Sequence, residues 1–327
     1  LAFTSAMRRT ARERITGVKA LAVDDARTQV LYHPLTNLSK VCKASMSDPF
    51  SRLETTIVAW AAGQDDIRAI VIVGSRARSN HPADAWSDLD LIVFTTTAAA
   101  YTADAAWLAA WGGVEAPALS LAGVLPEWLV LMSGGVKVDV AIAVADGSLA
   151  EMLARFPFQD VLARGLRVLV DKTASHGHPL PPFAPRLPRP PSAFEFENAC
   201  FGFLVAADKT ARLLRRSDLW RAKMLCDGDL KSRLLTFLEW QAQAGHGLDE
   251  DTWYDGRFLV EWADPAALSA LPATFAAYSG ADLWRALRAS TALFRRLATD
   301  CAAIWHLPFP ARICEQLLAQ WQDAESG

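Results

Sequence analysis

Two short apolar runs, Ala69 to Val73 and Leu89 to Thr95, lie either side of a polar connection that carries Asn80 and Pro82. This pattern restricts the fold more than any other stretch. Each run is bounded by turn-forming residues, which predicts a pair of buried strands. The first ends in Gly74-Ser75-Arg76. Glycine lets the backbone come close to a ligand, so bare N–H groups can face an anion such as a phosphate, and the Ser75 hydroxyl adds a donor. The second run opens with Ser87-Asp88-Leu89-Asp90. Residues i and i+2 of a strand share a face, so Asp88 and Asp90 are expected to project together at the strand mouth. Carboxylates that close raise each other's pKa. A divalent cation relieves the repulsion, and oxygen ligands plus substrate phosphates suit Mg2+.

A lone Asp-x-Asp usually marks a solvated strand end. The ordered set is more specific, and a third acid adds to it. Trp128 to Met132 and Val136 to Ala143 read as a hairpin around Ser133-Gly134-Gly135. Val136, Val138 and Val140 fall on one face, and Lys137, Asp139 and Ala141 on the other. Asp139 is thus an acid in a strand expected to be mostly buried, where an unpaired charge is expensive. Two readings follow: a salt bridge to Lys137 or an arginine, or a third metal carboxylate brought beside Asp88 and Asp90 by strand pairing.

The chain has 327 residues, 52% hydrophobic and 21% charged, enough for two domains with full cores. A net charge of −3 argues against a protein that coats nucleic acid. No apolar run reaches the roughly 18 residues of a transmembrane helix. The five cysteines include no C-x-x-C pair and no Cys/His spacing suited to zinc. Free thiols in a reducing cytoplasm are expected.

Residues 1–45 are arginine-rich and aperiodic, and are expected to be a poorly ordered extension or a reading frame opened too far upstream of Met46. The alternative is a basic arm that touches a partner. Residues 46–175 form the first predicted domain, with helices over 51–62, 102–111 and 148–156 and a further strand over 166–170. Residues 176–191 are dense in proline and read as a stiff linker, His176 and His178 included. From 192 the pattern is helical, opened by a capping box at Ser192 and Glu195. It continues with helices over 218–243, 279–305 and 310–323 around an acidic, aromatic loop at 249–256. The expected class is α/β (α+β): a small mixed sheet flanked by helices, followed by a helical bundle.

Gly74-Ser75-Arg76, the connection through Asn80, Pro82 and Asp84, Asp88-x-Asp90 and Val138-Asp139 resemble the aminoglycoside (streptomycin) 6-adenylyltransferase family of the DNA polymerase β-like nucleotidyltransferase superfamily. Phe196-Glu197-Asn198-Ala199-Cys200, Ala222-Lys223, Asp227, Leu238-Glu239-Trp240 and Trp284-Arg285-Ala286-Leu287 extend the resemblance into the second domain. It implies transfer of AMP from ATP to a hydroxyl of a small cationic aminoglycoside, with Mg2+ as cofactor; the charge balance and the lack of a long apolar run disfavour a nucleic-acid partner and a membrane. It also implies catalytic, metal-holding roles for Asp88, Asp90 and Asp139. Gly74, Ser75, Arg76 and Lys223 would bind the nucleotide and Asp227 the acceptor. Lys223 and Asp227 are also spaced as an ordinary i, i+4 surface pair. Other acceptors (a lincosamide, a protein, an RNA end) and a non-catalytic nucleotide-binding module remain alternatives, the last opposed by the intact acids.

Overall fold

The computed structural model describes residues 30–32, 48–173, 180, 182–183 and 188–322. Cys42, His176, His178 and most of the arginine-rich extension lie outside the described residues. The chain divides into two compact units, Leu1–Arg186 and Leu187–Gly327.

The first unit contains strands β1 (Val30–Tyr32), β2 (Ile67–Val73), β3 (Leu89–Thr95), β4 (Val114–Ala122), β5 (Leu125–Met132), β6 (Val136–Val144) and β7 (Leu166–Asp171). They form one mixed sheet in the order β1-β7-β2-β3-β6-β5-β4. Helix α1 (Pro49–Ala62) precedes β2, α2 (Ala98–Ala103) follows β3, and α3 (Leu149–Ala154) and α4 (Gln159–Arg164) lie between β6 and β7. Proline in the first turn and an Asp48 carboxylate accepting from the Phe50 and Ser51 amides start α1. Ser148 and Glu151 form the capping box that starts α3.

Alternation along the central strands builds a core on each face. Val71, Val73, Ile92, Phe94 and Ala141 pack with Leu149, Leu153 and Leu162 of α3 and α4. Ile70, Ile72, Leu91, Val93, Val138 and Val140 pack on the other face with Phe50, Leu53 and Ile57 of α1. The hairpin forms with Met132 opposite Val136, and Gly134 and Gly135 turn at φ 77° and 78°. The predicted single helix over 102–111 is instead two pieces, α2 and a 3-10 turn over Ala106–Trp111. Asp104 interrupts it in extended conformation while its carboxylate accepts from the Ala106 amide. Trp107 and Trp111 are core residues, packed around Trp60 at 5.4 and 5.6 Å between ring centres.

In the second unit, the capping box at Ser192 and Glu195 opens α5 (Ala193–Arg215). Then come α6 (Leu219–Met224), a π-helical turn (Leu225–Asp229) and α7 (Leu230–His246). Two short helices, α8 (Leu259–Trp262) and α9 (Pro265–Ala270), precede α10 (Gly280–Trp305) and α11 (Ala311–Gln322). Phe203 of α5 stacks on Phe294 of α10 at 4.1 Å, and Phe237 of α7 meets the same ring edge-on at 4.9 Å. Among the described residues no helix is long and apolar enough to cross a membrane.

Candidate active site

Antiparallel pairing sets Asp90 beside Val73, the last residue of β2, and parallel pairing sets Asp139 of β6 beside Asp90. Asp88 ends the connection just before β3. The three carboxylates converge: one oxygen from each lies within 4.8 Å of the others. Asp90 and Asp139 are 4% and 1% exposed, and Asp88 is only partly buried.

The Gly74–Arg76 turn abuts this cluster. Gly74 sits at φ +71°, and a Cβ there would lie 2.0 Å from Asp90 Oδ2. Only glycine allows both the conformation and the approach. Ser75 is buried, and its hydroxyl has no hydrogen-bond partner among the described residues. Arg76 donates through Nε to the Asp88 carbonyl at 3.0 Å and through Nη2 to the Ser87 carbonyl at 3.2 Å. Its guanidinium covers the Phe50 ring at 3.2 Å. Arg76 therefore acts here as a strut that ties the Gly-Ser turn to the backbone bearing Asp88. The connection is further ordered by Asp84, whose carboxylate accepts from Ser87 Oγ at 2.8 Å and from the Trp86 amide at 2.9 Å.

Asp139 makes the expected salt bridge to Lys137 and also stands beside Asp88 and Asp90. The ammonium donates to Asp139 Oδ2 at 2.7 Å and to Asp88 Oδ2 at 3.0 Å, so the acids already hold one cation. Burial works against that charge, but the bonds to Asp139 and Asp88 outweigh it and raise the Lys137 pKa. Asp90 differs. Burial first, then the neighbouring Asp88 and Asp139 charges, push its carboxyl up to about 8. Its Oδ1 is buried without a hydrogen-bond partner among the described residues. An all-oxygen donor set, an orphaned carboxylate oxygen and a bare buried hydroxyl fit a hard divalent ion with a phosphate ligand.

A further acid escapes the hairpin reading, which began the strand at Trp128. Glu127 of β5 stands opposite Ala141, on the same face as Asp139, and is 1% exposed. Extending the alternation one residue upstream would have revealed it.

Lys223 and Asp227 belong to the second unit, on α6 and the π-helical turn. Their side chains are ion-paired and partly buried, and Lys223 also donates to the Ala276 carbonyl. The pair is thus tied into the bundle rather than solvated. One-turn π-helical insertions of this kind recur at functional sites.

The site is thus the mouth of a mixed sheet that presents three acids beside a Gly-Ser turn. The family model described as streptomycin adenylyltransferase matches residues 51–320, and the chain belongs to that family of enzymes. Among curated relatives, the aminoglycoside 6-adenylyltransferase of Bacillus subtilis (strain 168) is 22% identical over 247 residues, covering 72% of this chain and 84% of the relative. The protein of the same name from Campylobacter jejuni is 21% identical over 262 residues, covering 78% and 88% respectively. Among solved structures, an aminoglycoside 6-adenyltransferase from Bacillus subtilis aligns over 85% of this chain and 97% of its own length, at 15% identity and a TM-score of 0.40.

Proposed function

We propose that this enzyme moves AMP from ATP to a hydroxyl of an aminoglycoside such as streptomycin, with Mg2+ as its metal. The convergence of Asp88, Asp90 and Asp139 beside Gly74 and Ser75 carries this reading. Support for the acceptor comes from the family and from the two relatives named aminoglycoside 6-adenylyltransferases.

Asp88, Asp90 and Asp139 would hold the metal, which when bound supplies charge cancellation on the triphosphate and acidifies the acceptor hydroxyl. The Gly74-Ser75 turn grips the terminal phosphates through backbone N–H groups and the free Ser75 hydroxyl. Arg76 holds that turn and Asp88 in one geometry, so the α-phosphorus is presented in line with the attacking oxygen. The new P–O bond forms as the bond to pyrophosphate breaks. The hydroxyl proton passes to a carboxylate, for which Asp139 is our assignment. Lys223 is assigned to the triphosphate and Asp227 to a cationic group of the acceptor. Residues 46–175 are assigned as the nucleotidyltransferase domain, 176–191 as the linker and 192–327 as the acceptor-binding domain. The described cysteines are buried free thiols, which suits a reducing cytoplasm.

The test is pyrophosphate release from ATP and Mg2+ across a panel of aminoglycosides, streptomycin first. Release that depends on an aminoglycoside, with AMP recovered on it, is expected. Nucleotide binding without release under any acceptor would replace this reading with a non-catalytic module.

A further inference from the structure

We propose that Glu127 is a fourth carboxylate of the metal site, a positioning residue that holds the water shell of a bound divalent ion. The inference rests on the reading that Asp88, Asp90 and Asp139 hold metal, and it adds a residue that the Asp-x-Asp pattern does not contain.

Three observations carry it. First, strand register aims Glu127 at the site. Asp139 stands opposite Leu129 on β5, and Glu127 is two residues from Leu129, so Glu127 and Asp139 are diagonal neighbours on one face. Second, Glu127 is 1% exposed, and neither carboxyl oxygen has a hydrogen-bond partner among the described residues. A carboxylate buried that way is costly unless a cation or donor arrives. Third, Asp139, Lys137 and Asp88 of the site are among the charges that act on it, and Glu127 in turn acts on Asp90. The Lys137 ammonium is bonded to Asp88 and Asp139 and makes no hydrogen bond to Glu127.

Burial, and then Asp139, push the Glu127 carboxyl up to about 7, so without an ion this acid keeps its proton well above the ordinary carboxylate range. Glu127 stands outside the group of three acids whose oxygens lie within 4.8 Å of one another. That placement suits an acceptor for the outward hydrogens of a metal-bound water better than a direct ligand. A purely structural acid would have a donor from the fold, as Glu54 has from Arg167 at 2.6 and 2.7 Å.

The experiment is titration of the full chain with Mn2+, followed by electron paramagnetic resonance, for wild type, Glu127→Gln, Glu127→Asp and Asp90→Asn. Metal-free melting temperatures are measured alongside. Glu127→Gln keeps the shape and removes the charge. It is expected to weaken Mn2+ binding about tenfold to a hundredfold without lowering the metal-free melting temperature, while Glu127→Asp recovers part of the affinity. Mn2+ affinity within about twofold of wild type in Glu127→Gln, against the weakening that removal of such an outer partner brings, overturns the role of Glu127. So does a melting-temperature loss with affinity intact. Loss of binding in Asp90→Asn beside unchanged Glu127→Gln rejects Glu127 alone. Unchanged binding in both rejects the metal reading beneath it.

Discussion

Asp90 and Asp139 are register partners across the parallel β3–β6 pair, although they lie far apart in the chain. The sheet therefore forces two buried acids side by side, with Asp88 beside them. Asp90→Asn or Asp139→Asn is expected to abolish acceptor-dependent pyrophosphate release. The metal-free melting temperature should be unchanged or raised by Asp90→Asn, because one of the mutually repelling groups is gone. Calorimetry and a pyrophosphate assay on the same preparations check this, and activity that survives either substitution would sink the metal assignment.

The pH dependence of metal-free stability follows from Asp90 and Glu127. Their ordinary values of 3.8 and 4.5 rise to about 8 and about 7 in the fold, through burial first and neighbouring acids second. The native state thus binds protons that the unfolded chain releases. Their contribution to stability is fully present below about pH 4 and is lost as pH rises through about 7 to 8. Other carboxylates govern the acid limb, so the testable window is pH 5 to 9, where the metal-free melting temperature should fall. Asp90→Asn should flatten that slope, and Mg2+ should bind more tightly as pH rises, since it competes with protons. A melting temperature flat across this window in wild type contradicts the argument.

Gly74→Ala sets a methyl group against Asp90 Oδ2 at a left-handed backbone position. The conformation alone costs about 1–3 kcal/mol, and relief of the clash must move Asp90. Denaturant unfolding should show that loss, and kcat should fall further than stability predicts. A fully active Gly74→Ala enzyme would mean that the turn is not held against the acid during turnover.

Arg76→Lys keeps the charge but loses the fork that spans the Ser87 and Asp88 carbonyls. Misplacement of reacting groups by about 1 Å can cost up to about 100-fold in rate. We expect kcat to fall by about that order with a smaller change in the KM for ATP. The reverse pattern, a large KM change with kcat retained, would instead point to direct phosphate binding by Arg76.

Lys137→Met leaves Asp88 and Asp139 without their shared cation. Charged, partly buried hydrogen bonds of this type contribute about 1.5–3 kcal/mol each. Both bonds are lost together, but the ammonium is 33% exposed and partly screened, so the metal-free protein should lose at least the lower of those figures, about 1.5 kcal/mol. Added Mg2+ should recover more of the melting temperature in the variant than in wild type, because the ion replaces the missing charge. Equal shifts in both proteins would show that the ammonium and the ion do not share these ligands.

Much of the site was legible because alternation is a strict rule: Asp139 and Lys137 had to share a face, and Asp88 and Asp90 had to open one strand. The caps at Ser148 and Ser192 were legible for the same reason, since few residues can satisfy the first amides of a helix. Strand β4 was not. It is exposed along most of its length and contains Pro117, both tolerated at a sheet edge and both foreign to a buried pattern. The π-helical turn at 225–229 was not legible either, because one inserted residue barely disturbs an apolar stripe.

By itself the amino-acid sequence determined most of the local units: where the buried central strands run, where the capped helices begin, and that a bare turn and an acid pair adjoin one another. Those properties depend on neighbours within a few positions. Tertiary structure alone decided that Asp139 stands beside Asp90, that Lys137 lies between two acids, and that Glu127 is buried without a partner among the described residues. Each depends on the order and register in which the strands pair, and the electrostatic consequences arise only when pairing brings like charges out of water together.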